Sequence, residues 1–452
     1  MMTKTRVKFP AYEKRATTGP VRVCFMIDRL SRAGTETQLL ALIRSLDRSR
    51  VVPHLVLLDG ASDESRSLEP DDCPILRLGL TSLFRPATLS AMIRLRRFWW
   101  QHHIDVLQTY FLDSTYFGVP FARICGIRKI VRVRNNLGYW LTKGHRQLGK
   151  WMGRLADVTL TNSDGGKQAI VEVEGLRPEK VAVLENGVDL DRFPQCDPPD
   201  TSRDVVRVGI VANLRTVKNI DGLIRAVALL RSTFLQSTRS HALRGNAVFD
   251  APRRAPFEPS GTFNAQSRTT EESRRAGSIP TQSVGTRDVL IRAEGVPCPS
   301  SPTVRFEVAG EGEQRPELER LIAANDLDET FGLLGPVSDV PAFLARQDIA
   351  VLCSHSEGMS NALLEYMASG RAIIATDVGA NARLIQDGVH GLIVPARDDA
   401  AIASAITKLL DNPETARQMG MTARLRVEAD YSRTAMVRRF EDFYERLGAA
   451  SG

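Results

Sequence analysis

Glu357-Gly-Met-Ser-Asn-Ala-Leu-Leu-Glu365 sets two carboxylates at the ends of a nine-residue stretch, with Gly, Ser and Asn between them. Immediately upstream, Asp348-Ile-Ala-Val-Leu-Cys-Ser354 is an apolar run of strand length. Downstream, Asn361-Ala-Leu-Leu-Glu-Tyr-Met-Ala-Ser369 reads as a helix, with Ser360 as its N-cap and Gly370 as its stop. Glu357 therefore belongs to a strand-to-helix loop, and Glu365 lies about one turn inside the helix. The backbone N–H groups of Met359, Ser360 and Asn361 have no partner within the helix and form an anion site. A carboxylate on either side of such a site suits a polyhydroxylated anion. Each carboxylate accepts hydrogen bonds from hydroxyls while the helix start holds a diphosphate.

The same strand–loop–helix grammar extends in both directions. Val21–Ile27 reads as a strand, followed by a loop with one glycine and a helix from Thr35 to Leu46. Val51–Leu58, Val106–Thr109 and Ile130–Arg134 read as strands; Pro86–Trp100 and Gly144–Ala156 read as helices. This alternation predicts an α/β chain with parallel sheets flanked by helices. Asp197-Pro-Pro-Asp200 is polar and rigid and marks a linker. The predicted organisation is a flexible tail at 1–20, a first Rossmann-like domain at 21–200, a second at 204–430 and a terminal helix at 431–449. Residues 232–302 are rich in Ser, Arg, Thr, Pro and Gly without hydrophobic periodicity. They read as a disordered insertion. The alternative is an arginine-rich arm that binds an acceptor or partner.

At 452 residues the chain suits two or three domains. Hydrophobic residues make up 43% and charged residues 25%, the balance of a soluble globular protein. No apolar run approaches the roughly 20 residues needed to span a bilayer. The first 20 residues are polar and basic, without the apolar core of a secretory signal. Six scattered cysteines form no C-x-x-C pair and read as thiols of a reducing compartment, so the cytoplasm is the expected location. The formal net charge of +7 favours anionic partners. No Asp-x-Asp pair sits in a strand-end loop suited to a metal. The single glycine of Asp28–Gly34 lacks the G-x-G-x-x-G fingerprint, which counts against a nicotinamide or flavin site.

The pair Glu357 and Glu365 resembles the E-x7-E motif of glycosyltransferase family 4. Five further segments resemble that family in its order: Gly34-Thr-Glu36, Glu185-Asn-Gly-Val-Asp-Leu-Asp-Arg-Phe193, Val211-Ala-Asn-Leu-Arg-Thr-Val-Lys218, Val308-Ala-Gly-Glu-Gly312 and Gly388-Val-His-Gly-Leu-Ile-Val-Pro395. The resemblance covers residues 21–230 and 303–449. It implies a GT-B fold: two Rossmann-like domains facing a cleft, with the C-terminal helix packing back on the first. It implies a retaining, metal-independent enzyme whose catalytic residues are Lys218, Arg215 and Glu357.

In that reading Lys218 holds the leaving diphosphate in place of a metal. The family's common form has an arginine five residues before this lysine; Asn213 stands there, and Arg215 supplies the second cation from a shifted position. Glu365 accepts from the ribose hydroxyls, and Glu357 faces the transferred sugar. Gly34, Gly310, Met359, Ser360 and Asn361 let the backbone approach the donor. Many family members carry histidine where Tyr110 stands, so Tyr110 and Asp113 are the candidates to line the cleft there. The loop Arg132–Trp140 is expected to rim the acceptor side.

The expected function is transfer of a sugar from a nucleotide-sugar to a saccharide or polyprenyl-linked saccharide, in bacterial envelope or exopolysaccharide synthesis. No cofactor, metal or nucleic acid is expected. Two alternatives share the fold: a sugar-nucleotide 2-epimerase, and a non-catalytic saccharide-binding or assembly protein. Two basic, Trp-containing stretches, Arg94–Trp100 and His145–Arg154, allow peripheral contact with an anionic membrane at the inner face of the cell membrane. The plainer reading is that they only cover the sheet.

Overall fold

The computed structural model describes residues 19–59, 62–80, 87–135, 142–194, 205–231 and 303–449. The linker at 195–204, the insertion at 232–302, most of the N-terminal tail and the loop residues Tyr139 and Trp140 lie outside the described residues.

Two parallel sheets organise the rest. The first comprises β1 (Val21–Ile27), β2 (Val51–Leu57), β3 (Ile75–Arg77), β4 (Val106–Thr109), β5 (Lys129–Val133), β6 (Val158–Thr161) and β7 (Val181–Val183), in spatial order β3-β2-β1-β4-β5-β6-β7. The second comprises β8 (Val205–Val211), β9 (Thr303–Ala309), β10 (Phe331–Gly335), β11 (Ile349–Leu352), β12 (Ala372–Thr376) and β13 (Leu392–Val394), in order β10-β9-β8-β11-β12-β13. In each sheet the chain starts centrally, adds strands to one side, then returns to extend the other. The reversal lies between β1 and β4 in the first sheet and between β8 and β11 in the second. At such a switch point neighbouring loops diverge and leave a crevice beyond the carboxyl ends of the strands. The central strands β4, β11 and β12 are buried throughout, β11 as an unbroken apolar run and β4 with Gln108 and Thr109 hydrogen-bonded inside, as helices cover both faces.

The final helix, Arg433–Ala449, belongs to the first domain's core. Met436, Val437, Phe443 and Tyr444 pack with Leu39, Leu42 and the β1 residues Phe25 and Ile27. Tyr444 is fully buried and donates to Gln108 Oε1 at 2.9 Å. Arg50 clasps the same helix through Glu441 and Asp442, both at 2.7 Å. The crossing itself is stitched by backbone: Val188 N donates to Tyr431 O at 2.9 Å, and Arg433 N to Val188 O at 2.8 Å. The other face of the first sheet carries the helices Ala87–Gln101, Leu112–Cys125 and Lys143–Leu155, seated by Phe98, Trp99, Phe117, Phe121 and Met152. Among the described residues, no helix is long and apolar enough to cross a membrane.

Candidate functional site

The second sheet's switch point carries the carboxylate pair. The helix Asn361–Ala368 follows β11, and Ser360 caps it, its Oγ accepting from Leu363 N at 3.4 Å. Glu357 sits in the preceding loop. Its Oε1 accepts from Ser354 Oγ at 2.6 Å and lies 2.6 Å from Lys218 Nζ. Lys218 ends a single 3₁₀ turn, Thr216–Lys218, after β8. That turn is tied to the end of β11: His355 N donates to Val217 O at 2.8 Å and Asn219 Nδ2 to Cys353 O at 3.1 Å. Two loops remote in sequence thus bring a fixed cation beside Glu357, at the mouth of the capped helix. Arg215 opens the same turn and is exposed. Its Cα lies near the cation pair in sequence, but its guanidinium has no ion-pair partner among the described residues.

Glu365 lies one turn into the helix. Its carboxylate has no hydrogen-bond partner among the described residues, and burial pushes its pKa up to about 7, opposed by the nearby Arg192. A half-buried carboxylate whose protein surroundings offer it no donor is suited to a ligand that brings its own hydroxyls.

Gly310 has a steric role within the fold. A Cβ there would lie 1.8 Å from Ala212 O, so the glycine permits the end of β9 to pass directly against the loop that carries Arg215. Gly310 N is also engaged by Gly335 O at 2.8 Å. Gly34, the first residue of the helix Gly34–Ser45, faces across the cleft, where a Cβ would meet Asn361 Nδ2 at 2.9 Å. Met359 is buried, and its Sδ accepts from Asn186 N at 3.3 Å.

Tyr110 is largely buried and lines a cavity that Gln38 and Asn186 also line. Its side chain is buried on the core side of β4, and its hydroxyl accepts from Gln108 Nε2 at 2.7 Å. Side chains alternate along the strand, which sets Tyr110 on the same face as Gln108, against Leu39, Leu160 and Phe440. Asp113 is exposed in the first turn of the helix Leu112–Cys125, at the first sheet's switch point. Beside it, Asp28 accepts from Ser114 N at 2.7 Å and so occupies that helix start; burial raises its pKa above the usual carboxylate range.

Four residues of the cleft, Gln38, Glu185, Asn186 and Arg383, escaped the sequence reading as site residues, and two of them meet the predicted Asn361. Asn361 Oδ1 accepts from Asn186 Nδ2 at 2.8 Å and from Gln38 Nε2 at 3.2 Å, while Asn361 Nδ2 donates to Gly34 O at 3.1 Å. Arg383 pairs with Asp164 at 2.7 Å and also with Glu185. Asn186 and Glu185 lie within a quoted motif, which is the only local signal; Gln38 and Arg383 carry none. Among the described residues, no group of three or more His, Cys, Asp or Glu side chains is arranged to hold a metal ion.

Comparison with known proteins agrees with this architecture. The family model described as Glycosyltransferase Family 4 matches residues 32–192, and that described as Glycosyl transferases group 1 matches residues 287–412. An α-D-kanosaminyltransferase of Streptomyces kanamyceticus is 33% identical over 32% of this chain and 38% of its own length. A lipopolysaccharide core biosynthesis mannosyltransferase, LpcC, of Rhizobium leguminosarum is 34% identical over 26% of this chain and 33% of its own. The aligned stretches thus span well under half of these relatives. In fold, the chain resembles Anabaena HepE in complex with UDP and glucose, with a TM-score of 0.69 at 15% identity, covering 94% of this chain and 100% of that one. Sucrose-phosphate synthase of Thermosynechococcus elongatus gives 0.66 at 16% identity, covering 95% and 100%. The chain belongs to glycosyltransferase family 4 and has the GT-B fold, two Rossmann-like domains facing a cleft.

Proposed function

We propose that this protein is a retaining, metal-independent glycosyltransferase that moves a sugar from a nucleotide-sugar to a saccharide or polyprenyl-linked saccharide acceptor. The observation that carries the reading is the contact of Lys218 Nζ with Glu357 Oε1, 2.6 Å apart at a capped helix start, with the donor-less Glu365 carboxylate one turn beyond. Glu365 accepts from the ribose hydroxyls, and the N–H groups of residues 359–361 hold the diphosphate. Lys218 leaves Glu357 for the diphosphate as charge develops on it, and Arg215 adds a second cation. Glu357, released, accepts from hydroxyls of the transferred sugar. The bond from the anomeric carbon to the diphosphate oxygen breaks. The acceptor oxygen bonds to the same face of that carbon, and its proton passes to the leaving phosphate oxygen.

The names of the relatives and neighbours support the classes of both substrates. HepE was solved with UDP-glucose, and the relatives include LpcC and an amylovoran biosynthesis glycosyltransferase of Erwinia amylovora. A bacterial envelope or exopolysaccharide acceptor is therefore proposed.

Product analysis on a nucleotide-sugar panel, begun with UDP-sugars, tests the reading. Glycoside plus free nucleoside diphosphate, formed equally in EDTA, is the expected result. An epimerised donor would assign the chain to the 2-epimerases, and no turnover of any donor would leave a binding protein. Loss of activity in EDTA that magnesium or manganese restores would overturn the metal-independent mechanism.

A further inference from the structure

Seven of the fourteen large hydrophobic side chains exposed on the described surface lie on one face of the first domain. Leu89, Ile93 and Trp100 project from the helix Ala87–Gln101, Ile124 from Leu112–Cys125, and Leu148, Trp151 and Leu155 from Lys143–Leu155. Trp100 is 54% exposed, Trp151 59% and Ile124 80%. If these helices only covered the sheet, their apolar sides would face inward. The first two do seat Phe98, Trp99, Phe117 and Phe121. The third buries only Met152 and Gly153 and turns its tryptophan and two leucines to solvent.

The three helices form one continuous face. Trp99 and Phe121 join the first two with ring centroids 5.5 Å apart, and Arg123 Nε donates to Leu155 O at 2.7 Å to join the second and third. Because all three helices end at the same edge of the sheet, Trp100, Ile124 and Leu155 lie at one end of this face, with Trp151 a turn away.

Charge identifies the partner. The two outer helices hold seven Lys and Arg residues and no Asp or Glu. The middle helix has one acid, Asp113, at the opposite end from Ile124. The neighbouring Asp157 is engaged by Arg123 at 2.8 Å. Cations interleaved with Trp, Leu and Ile, without acids, match the boundary of an anionic bilayer, where rings and aliphatic chains enter between headgroups and cations lie over phosphates. Arg154 lies over the Trp151 ring, 5.7 Å from its centroid, so the aromatic and the cation already form one unit.

We propose that this face docks on an anionic lipid bilayer, with Trp100, Ile124, Trp151 and Leu155 at the headgroup boundary and Arg97, Lys150 and Arg154 over the phosphates. The inference stands independently of the proposed reaction. Its test is co-sedimentation of the full chain with phosphatidylcholine vesicles, with and without phosphatidylglycerol, at low and high salt. Binding to the anionic vesicles alone, lost at high salt, is expected. Lys150→Glu with Arg154→Glu should weaken it by roughly tenfold or more, and Trp151→Ala should weaken it at low salt while the circular dichroism melt is unchanged. Equal binding to neutral and anionic vesicles overturns the proposal, and so does no binding to either. Self-association of the parent that the same variants abolish would assign the face to a second copy of the chain instead.

Discussion

At 2.6 Å, Lys218 and Glu357 neutralise each other across two loops 139 residues apart. The pair is side-chain buried to about four-fifths or more, and Glu357 is held from the other side by Ser354. Glu357 therefore keeps Lys218 at the mouth of the site until a diphosphate takes its place, and a cation already held there needs only a short side-chain shift to meet the developing charge. Lys218→Ala should lower kcat by roughly two to three orders of magnitude and raise KM less, with Lys218→Arg recovering part of the loss. Near-parent kcat in Lys218→Ala, measured by steady-state kinetics, would transfer the role to Arg215. Glu365 makes a pH-dependent prediction. Its pKa rises from 4.5 to about 7 on burial, so the folded state binds the proton more tightly than the unfolded chain. The stability this contributes is fully present below about pH 4.5 and lost as pH rises through about 7. Between pH 5 and pH 8 the parent's Tm should fall further than that of Glu365→Gln. Ribose hydroxyls favour the ionised form, so donor affinity in calorimetry should rise over the same window in the parent and stay flat in the variant. Both acids and the lysine were legible in the sequence because each sits in a short motif at fixed spacing. The inward turn of Tyr110 was not, because the direction of a strand-end side chain depends on the pleat and on what fills the core beneath it.

Elements were legible where an apolar period ran long enough. The helices at Gly34–Ser45 and Asn361–Ala368 and the strands β1, β2, β4 and β5 fall within a residue or two of where the sequence places them. The helix Leu112–Cys125 is harder to read, since Pro120 stands inside it, and β3, β7 and β13 are only three residues each. What the sequence could not express is how loops lean on one another. Gly310 reads as a ligand-facing glycine, yet its missing side chain is required by Ala212 O, and Gly312 repeats the arrangement against Leu214 O, 2.4 Å from where its Cβ would lie. The loop bearing Arg215 is thus shaped from beneath by β9. Gly310→Ala must push the two backbones apart, which should cost about 1–3 kcal/mol or more in chemical denaturation and weaken donor binding with it. Gly332→Ala, where a Cβ would meet nothing nearer than 3.8 Å, serves as the control and should melt like the parent. Equal stability of both variants would return Gly310 to a purely ligand-facing role.

Across the whole molecule, two sets of contacts join the domains, and they differ in kind. On one side the chain crosses between them, and Val188, Tyr431 and Arg433 share backbone hydrogen bonds that persist whatever the side chains are. Beside the crossing the join depends on side chains, centred on Asn361 with Gln38, Asn186 and the Gly34 carbonyl, and flanked by Arg383 with Asp164 and Glu185. Partners separated by 323 residues leave no pattern in a sequence read locally, which is why this join was invisible there. Asn186 and Gly187 lead directly into Val188, and Gln38 Nε2 donates to Gly187 O at 2.9 Å, so the side-chain latch adjoins the backbone hinge and extends it into the cleft. Asn361 is also the first residue of the helix whose N–H groups are proposed to hold the diphosphate, so the latch closes on the donor site itself. Gln38→Ala with Asn186→Ala removes two hydrogen bonds from the far side and leaves Asn361 in place. At about 1 kcal/mol each, their loss shifts the balance toward separated domains by roughly thirtyfold. Small-angle scattering of the ligand-free variant should show a larger radius of gyration, a readout that needs no substrate. With donor and acceptor, kcat for transfer should fall about tenfold while the donor Kd stays within about twofold, because water reaches a cleft that no longer closes. The ratio of donor hydrolysis to transfer should rise in step. Unchanged scattering with unchanged kcat would mean that the hinge side alone holds the cleft together, and that Asn361 serves only its own helix.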